Sequence, residues 1–129
     1  MGEKIKMSWY KYAIDFDRRN VINHKIMYLE ETGEMLTTLA KMVFQSATLA
    51  KQSNTDIITS KKITSYPILH EILLEADAIA LDSPWKFAAL CEEAVLSISN
   101  LVETLKIERK KMTEGDAKPK VEKGWVLDG

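Results

Sequence analysis

Three glutamates around one glycine are the residues whose types and spacing come closest to working chemistry. In Leu29-Glu30-Glu31-Thr32-Gly33-Glu34-Met35-Leu36, Glu31 and Glu34 stand three apart and Glu30 and Glu34 four apart. On a helix they share a face, where like charges repel unless solvated or neutralised. Hard cations such as Mg²⁺ take carboxylate oxygens, so paired glutamates on a rigid helix form half a site for a cation held with a nucleotide's phosphates. Gly33 costs a helix interior about 1 kcal/mol relative to alanine, a loss that close approach of a base or a second helix to the backbone would offset. A solvated acidic stripe, with Gly33 relieving a helix crossing, explains the same residues without chemistry.

The other chemistry-bearing residues are sparse. Glu71 and Glu75 are four apart and share a helical face, and Asp77 falls on another side. Cys91 is the single cysteine, on an apolar stripe, and reads as a small core residue. With no internal disulfide and no apolar leader, a reducing cytoplasm is expected. His70 beside Glu71 reads as a solvent-facing residue or a local contact rather than a metal ligand. Phosphate-cradling glycine loops, Gly-x-Ser-x-Gly, His-Glu-x-x-His and Glu-x-x-His are all absent from the sequence.

The elements that must position these residues are helices. Between Glu3 and Glu114 the only glycine and prolines are Gly33, Pro67 and Pro84, too few turn residues for a β-sandwich or barrel. Ile22, Ile26, Leu29, Gly33, Leu36, Ala40, Val43, Ala47 and Ala50 alternate steps of four and three, with Met35, Leu39, Met42 and Leu49 as a second stripe beside them. This predicts one long helix over about 20–52 whose two stripes need other helices or a second copy of the chain. The polar stretch Ser53 to Ser65 reads as a connecting loop. Pro67, with Ser65 as cap, opens a short helix over about 67–81. Pro84, after Asp82-Ser83, opens a second long helix over about 84–112, with Phe87, Cys91, Ala94, Ile98, Leu101 and Leu105 on one face. Trp9, Tyr12, Ala13 and Phe16 fit a short aromatic helix near the start.

The expectation is an all-α antiparallel helical bundle forming one domain over residues 1–113, with 114–129 a flexible charged tail ending in Gly124-Trp125-Val126-Leu127. Formal net charge is −1 overall but +2, −5 and +2 over residues 1–19, 20–103 and 104–129. An acidic body disfavours nucleic acid and suits divalent cations. No stretch reads as a membrane span, and Lys6 stands where a myristoylation motif needs Ser or Thr.

Leu29 to Ala40, with its Leu-Glu-Glu-x-Gly-Glu-x-Leu pattern, resembles the first motif of the MazG-like all-α nucleoside triphosphate pyrophosphohydrolases. Trp9 to Asp17 is similar to the aromatic-acidic stretch that often precedes it. The resemblance implies an oligomeric helical fold in which Glu-x-x-Glu on one helix and Glu-x-x-Asp on a later one hold Mg²⁺. A water activated there would cleave an NTP or dNTP to the monophosphate and pyrophosphate. Carried over residue by residue, Glu31 and Glu34 match the metal ligands and Glu30 the acidic neighbour, a second-sphere or base-assisting group. The second motif departs from the pattern, because Leu74 stands three before Asp77 and Glu92-Glu93 meets Val95 and Leu96 where aspartate belongs. Glu71 and Glu75 are then the best candidates to complete the metal set, or the chain keeps nucleotide binding without catalysis.

Two rivals come from other classes. One is a small non-enzymatic helical interaction protein, such as an adaptor, inhibitor or assembly factor, acting as a homo-oligomer or on a protein partner through its apolar stripes or the Trp125 tail. The other follows from Arg18-Arg19 ahead of His24, which is similar to the Arg-spacer-His motif of helical HEPN-type ribonucleases. It requires Arg19 and His24 to converge across a dimer seam.

Overall fold

A computed structural model describes the backbone of residues 2–122 and the side chains of residues 17–112. Among the described residues the secondary structure is entirely helical: α1 (Gly2–Met42), α2 (Ala47–Ile58), a 3₁₀ turn (Lys61–Ser65), α3 (Pro67–Ile79) and α4 (Pro84–Glu122). The expected all-α bundle is therefore the observed fold. None of the described helices is long and apolar enough to cross a membrane.

The expected helix over 20–52 is two helices. Helix α1 begins well before Asn20 and stops at Met42, where Phe44 N–H bonds to the Lys41 carbonyl at 3.3 Å and Gln45 N–H to the Met42 carbonyl at 2.8 Å. Such i→i+3 bonds tighten a last turn and end it. Ser46 then adopts an extended conformation and its hydroxyl accepts from Leu49 N–H at 3.3 Å, capping α2. The apolar periodicity runs through this corner unbroken because both helices bury residues at the same spacing, with Val43 at the corner and Ala50 beyond it both buried. Of the second stripe only Leu39 is buried, and Met35 and Leu49 face solvent.

The expected loop over 53–65 is likewise mostly helical. Helix α2 carries on to Ile58, burying Ala50, Asn54 and Ile57, and the 3₁₀ turn follows with Ile63 fully enclosed. Its polar composition misleads because Lys51, Asn54 and Thr55 on this short helix direct their hydrogen bonds to Asp77 of the following helix. Pro67 opens α3 as expected, but the capping position is Tyr66, without a side-chain cap bond, and not Ser65. Ser83 does cap α4, accepting from Lys86 N–H at 3.3 Å. Helix α4 continues past Met112 to Glu122.

By their internal packing the residues fall into two units, Met1–Met27 with Glu103–Gly129, and Tyr28–Val102. The second holds the larger core: Leu29, Leu36, Ile63, Leu69, Leu73, Phe87 and Cys91 are completely buried. At its α1/α4 crossing, a methyl placed on Gly33 would lie 3.6 Å from Ile98 Cγ2. In the first unit Ile22 and Ile26 are buried, and Arg109 Nη1 donates to Asn23 Oδ1 at 2.7 Å.

Candidate functional site

Glu30, Glu31 and Glu34 all face solvent on α1, and Gly33 between them is buried toward Ile98. Glycine and glutamates thus serve different faces, as 3.6 residues per turn requires. On its buried side Gly33 faces Ile98 of α4. Glu71 and Glu75 are exposed on α3. Among the described residues, no group of three or more His, Cys, Asp and Glu side chains is placed to hold a metal ion. The quartet of Glu31, Glu34, Glu71 and Glu75 is not brought together within this chain.

Asp77 has a different task. Its Oδ2 pairs with Lys51 Nζ at 2.9 Å, and its Oδ1 accepts from Thr55 Oγ1 at 2.6 Å and Asn54 Nδ2 at 3.4 Å. Lys51 Nζ also reaches the Asp77 carbonyl, and Asn54 Nδ2 the Leu73 carbonyl, each at 2.9 Å. Partial burial pulls the Asp77 carboxyl pKa upward, but the bonds from Thr55, Lys51 and Asn54 together with the Lys51 charge outweigh it and hold it below the ordinary value. This network clamps α2 to α3. It converts the one aspartate of the would-be second acidic motif into a fastening between helices.

The remaining single residues are quickly placed. Cys91 is fully buried, and burial, reinforced by the Glu92 charge, pushes its thiol up to about 12. It is a core residue and not a nucleophile. His24 is exposed, Arg19 half-buried and His70 half-buried. Arg18 lines a cavity of about 430 Å³ in the first unit with Asp17, Lys25 and Glu108. The side chains of Trp9, Tyr12 and Phe16, and the Trp125 segment, lie outside the described residues.

One concave feature brings together residues that lie far apart in the sequence. Between the end of α1 and the start of α4 lies a groove of about 790 Å³, floored by Ala40 and Ala88 and walled by Phe44 on one side and Trp85, Val95 and Leu96 on the other. Phe44 and Trp85 meet edge to face, with ring centroids 4.8 Å apart, a favoured aromatic geometry. Both rings and Leu96 remain open to solvent: Trp85 is 78% exposed, Leu96 67% and Phe44 49%. Lys41 lines the α1 side and Glu92 the α4 side.

Local sequence explains this placement. Pro84 starts α4, so Trp85 lies in its first turn, and Trp85, Ala88, Ala89, Glu92 and Leu96 recur at helical spacing beside the buried Phe87-Cys91-Ala94-Ile98 stripe. The corner after Met42 sets Phe44 across from Trp85. A second apolar face on α4 was the available signal, but Phe44 becomes part of it only once the helix is known to break at Ser46. No protein-family model, curated protein or solved structure matches this chain.

Proposed function

We propose that this chain is a non-enzymatic helical interaction module whose working surface is the groove between the end of α1 and the start of α4. The observation that carries the reading is the contiguous exposure of Trp85, Phe44 and Leu96 around an alanine floor. Exposed apolar surface gathered into one concavity marks association sites, and tryptophan at such a site dominates binding energy more often than other residues. The single, fully buried cysteine suits a reducing compartment, the cytoplasm.

The test compares the wild-type chain with Trp85→Glu as bait in extracts of its own host, under conditions where both are folded by circular dichroism. A protein, or further copies of the chain, retained by wild type and lost with the variant is the expected outcome. Identical retention of all species by both baits would refute the groove as the working surface.

A second reading keeps the nucleotide chemistry implied by the MazG-like motif, because Glu31 and Glu34 are open to solvent on one helix. There they would hold Mg²⁺ with Glu30 assisting. Glu71 and Glu75, separate from them here, would have to be replaced as ligands by other oxygens. Pyrophosphate release from an NTP or dNTP panel with Mg²⁺, abolished by Glu31→Gln with Glu34→Gln, would establish that reading over the first. No release, together with no Mg²⁺- or nucleotide-dependent rise in melting temperature, would remove it.

A further inference from the structure

The groove's own composition narrows what fills it, taking the interaction reading above as the premise. A two-fold symmetric interface brings one surface patch against itself, so the patch must be self-complementary: every knob needs a hollow, and every charge an opposite charge, within the same patch. This groove meets both requirements. Trp85 and Leu96 are projecting apolar side chains, 78% and 67% exposed, and Ala40 and Ala88 form the hollow beside them. Lys41 stands on the α1 side and Glu92 on the α4 side, both exposed. Among the described residues neither side chain makes a hydrogen bond or an ion pair.

The geometry points to a second copy of this chain as the occupant, docked about a two-fold axis so that Trp85 of each copy enters the partner's groove and Lys41 of each faces Glu92 of the other. A partner of unrelated sequence would be served equally by a groove of one charge sign. Opposite signs on opposite walls favour a patch that meets itself, since the two cross-pairs then form together and a parallel misregister sets like charges face to face.

The test is a charge swap read by sedimentation equilibrium on the full chain. Wild type is expected to dimerise. Lys41→Glu and Glu92→Lys should each weaken the dimer by roughly tenfold or more, and the double variant Lys41→Glu/Glu92→Lys should recover most of the loss, because each cross-pair is rebuilt with its signs exchanged. Trp85→Glu should leave a folded monomer by circular dichroism. A dimer indifferent to all four variants would overturn the inference while sparing the interaction reading, because association would then use another face. A wild-type chain that is monomeric at 100-fold the concentration used for the bait experiment would also overturn it, and the interaction reading would rest on that experiment alone. Loss in both single variants without recovery in the double variant would deny the Lys41–Glu92 cross-pair and with it the two-fold docking.

Discussion

Replacing Gly33 by alanine isolates one question about the acidic segment, because the outcome depends on what the missing side chain faces. A Cβ built there meets Ile98 Cγ2 at 3.6 Å and Ile98 Cδ1 at 3.9 Å, ordinary van der Waals contacts that need no movement of α4. The helix gains about 1 kcal/mol from reduced unfolded-state freedom and better propensity. A buried methyl against Ile98 adds up to about 0.8 kcal/mol. The variant should therefore be more stable by roughly 1–2 kcal/mol. For a chain of this size that raises the melting temperature by about 3–10 °C, and the urea midpoint should rise with unchanged slope. Thermal and urea unfolding followed by far-ultraviolet circular dichroism measure both. A fall in stability would refute the reasoning, because it would mean that the α1/α4 crossing is tighter than 3.6 Å and that Gly33 is required by packing. Higher stability accompanied by loss of nucleotide hydrolysis would show a ligand approaching the backbone at Gly33.

Four further outcomes follow from named residues. Asp77→Ala should cost about 2–3 kcal/mol, since it leaves Lys51 and Asn54 Nδ2 without a carboxylate in a partly buried setting. The pH dependence has a definite sign: a carboxyl held below its ordinary value in the folded state contributes fully above the unfolded pKa and loses that contribution as pH falls through the folded one. Asp77→Asn should accordingly flatten the loss of stability below about pH 4, measured as urea midpoints at a series of pH values. Ser46→Ala removes the α2 cap and should cost about 1 kcal/mol; no change would mean that the corner is held by its backbone bonds and Val43 burial without the cap. Cys91, with its thiol raised to about 12, should react with a thiol reagent at neutral pH only as fast as the core opens, and fast labelling of the native chain would refute its placement.

The helical class, the proline-started helices and most of the core were legible because they follow from spacing and punctuation. Leu29, Leu36, Phe87, Cys91, Ala94 and Ile98 lie buried at the positions that a 3.6-residue period assigns. The corner at Val43 to Ser46 was not, since a break that preserves the phase of the apolar steps leaves no mark in them. Nor was the helix at 47–58: Asn54 and Thr55 look like loop residues until Asp77, more than twenty positions later, is seen to receive their hydrogen bonds. The acidic segment was read for its charges, which face solvent, and the groove was missed because Phe44 and Trp85 are distant in sequence and adjacent only after the corner forms.

The clamp around Asp77 also bears on the order in which the chain assembles. Joining Asn54 to Asp77 closes a loop of 23 residues, and the Gly33–Ile98 crossing closes one nearly three times as long. The entropy of closure grows as the logarithm of length, so the shorter loop forms at an advantage of about 1 kcal/mol. Helices α2 and α3 can therefore pair before α1 and α4 meet, presenting a preformed surface on which the longer helices settle. In that order of assembly the groove at Phe44 and Trp85 is completed last, and a half-folded chain would not yet carry it.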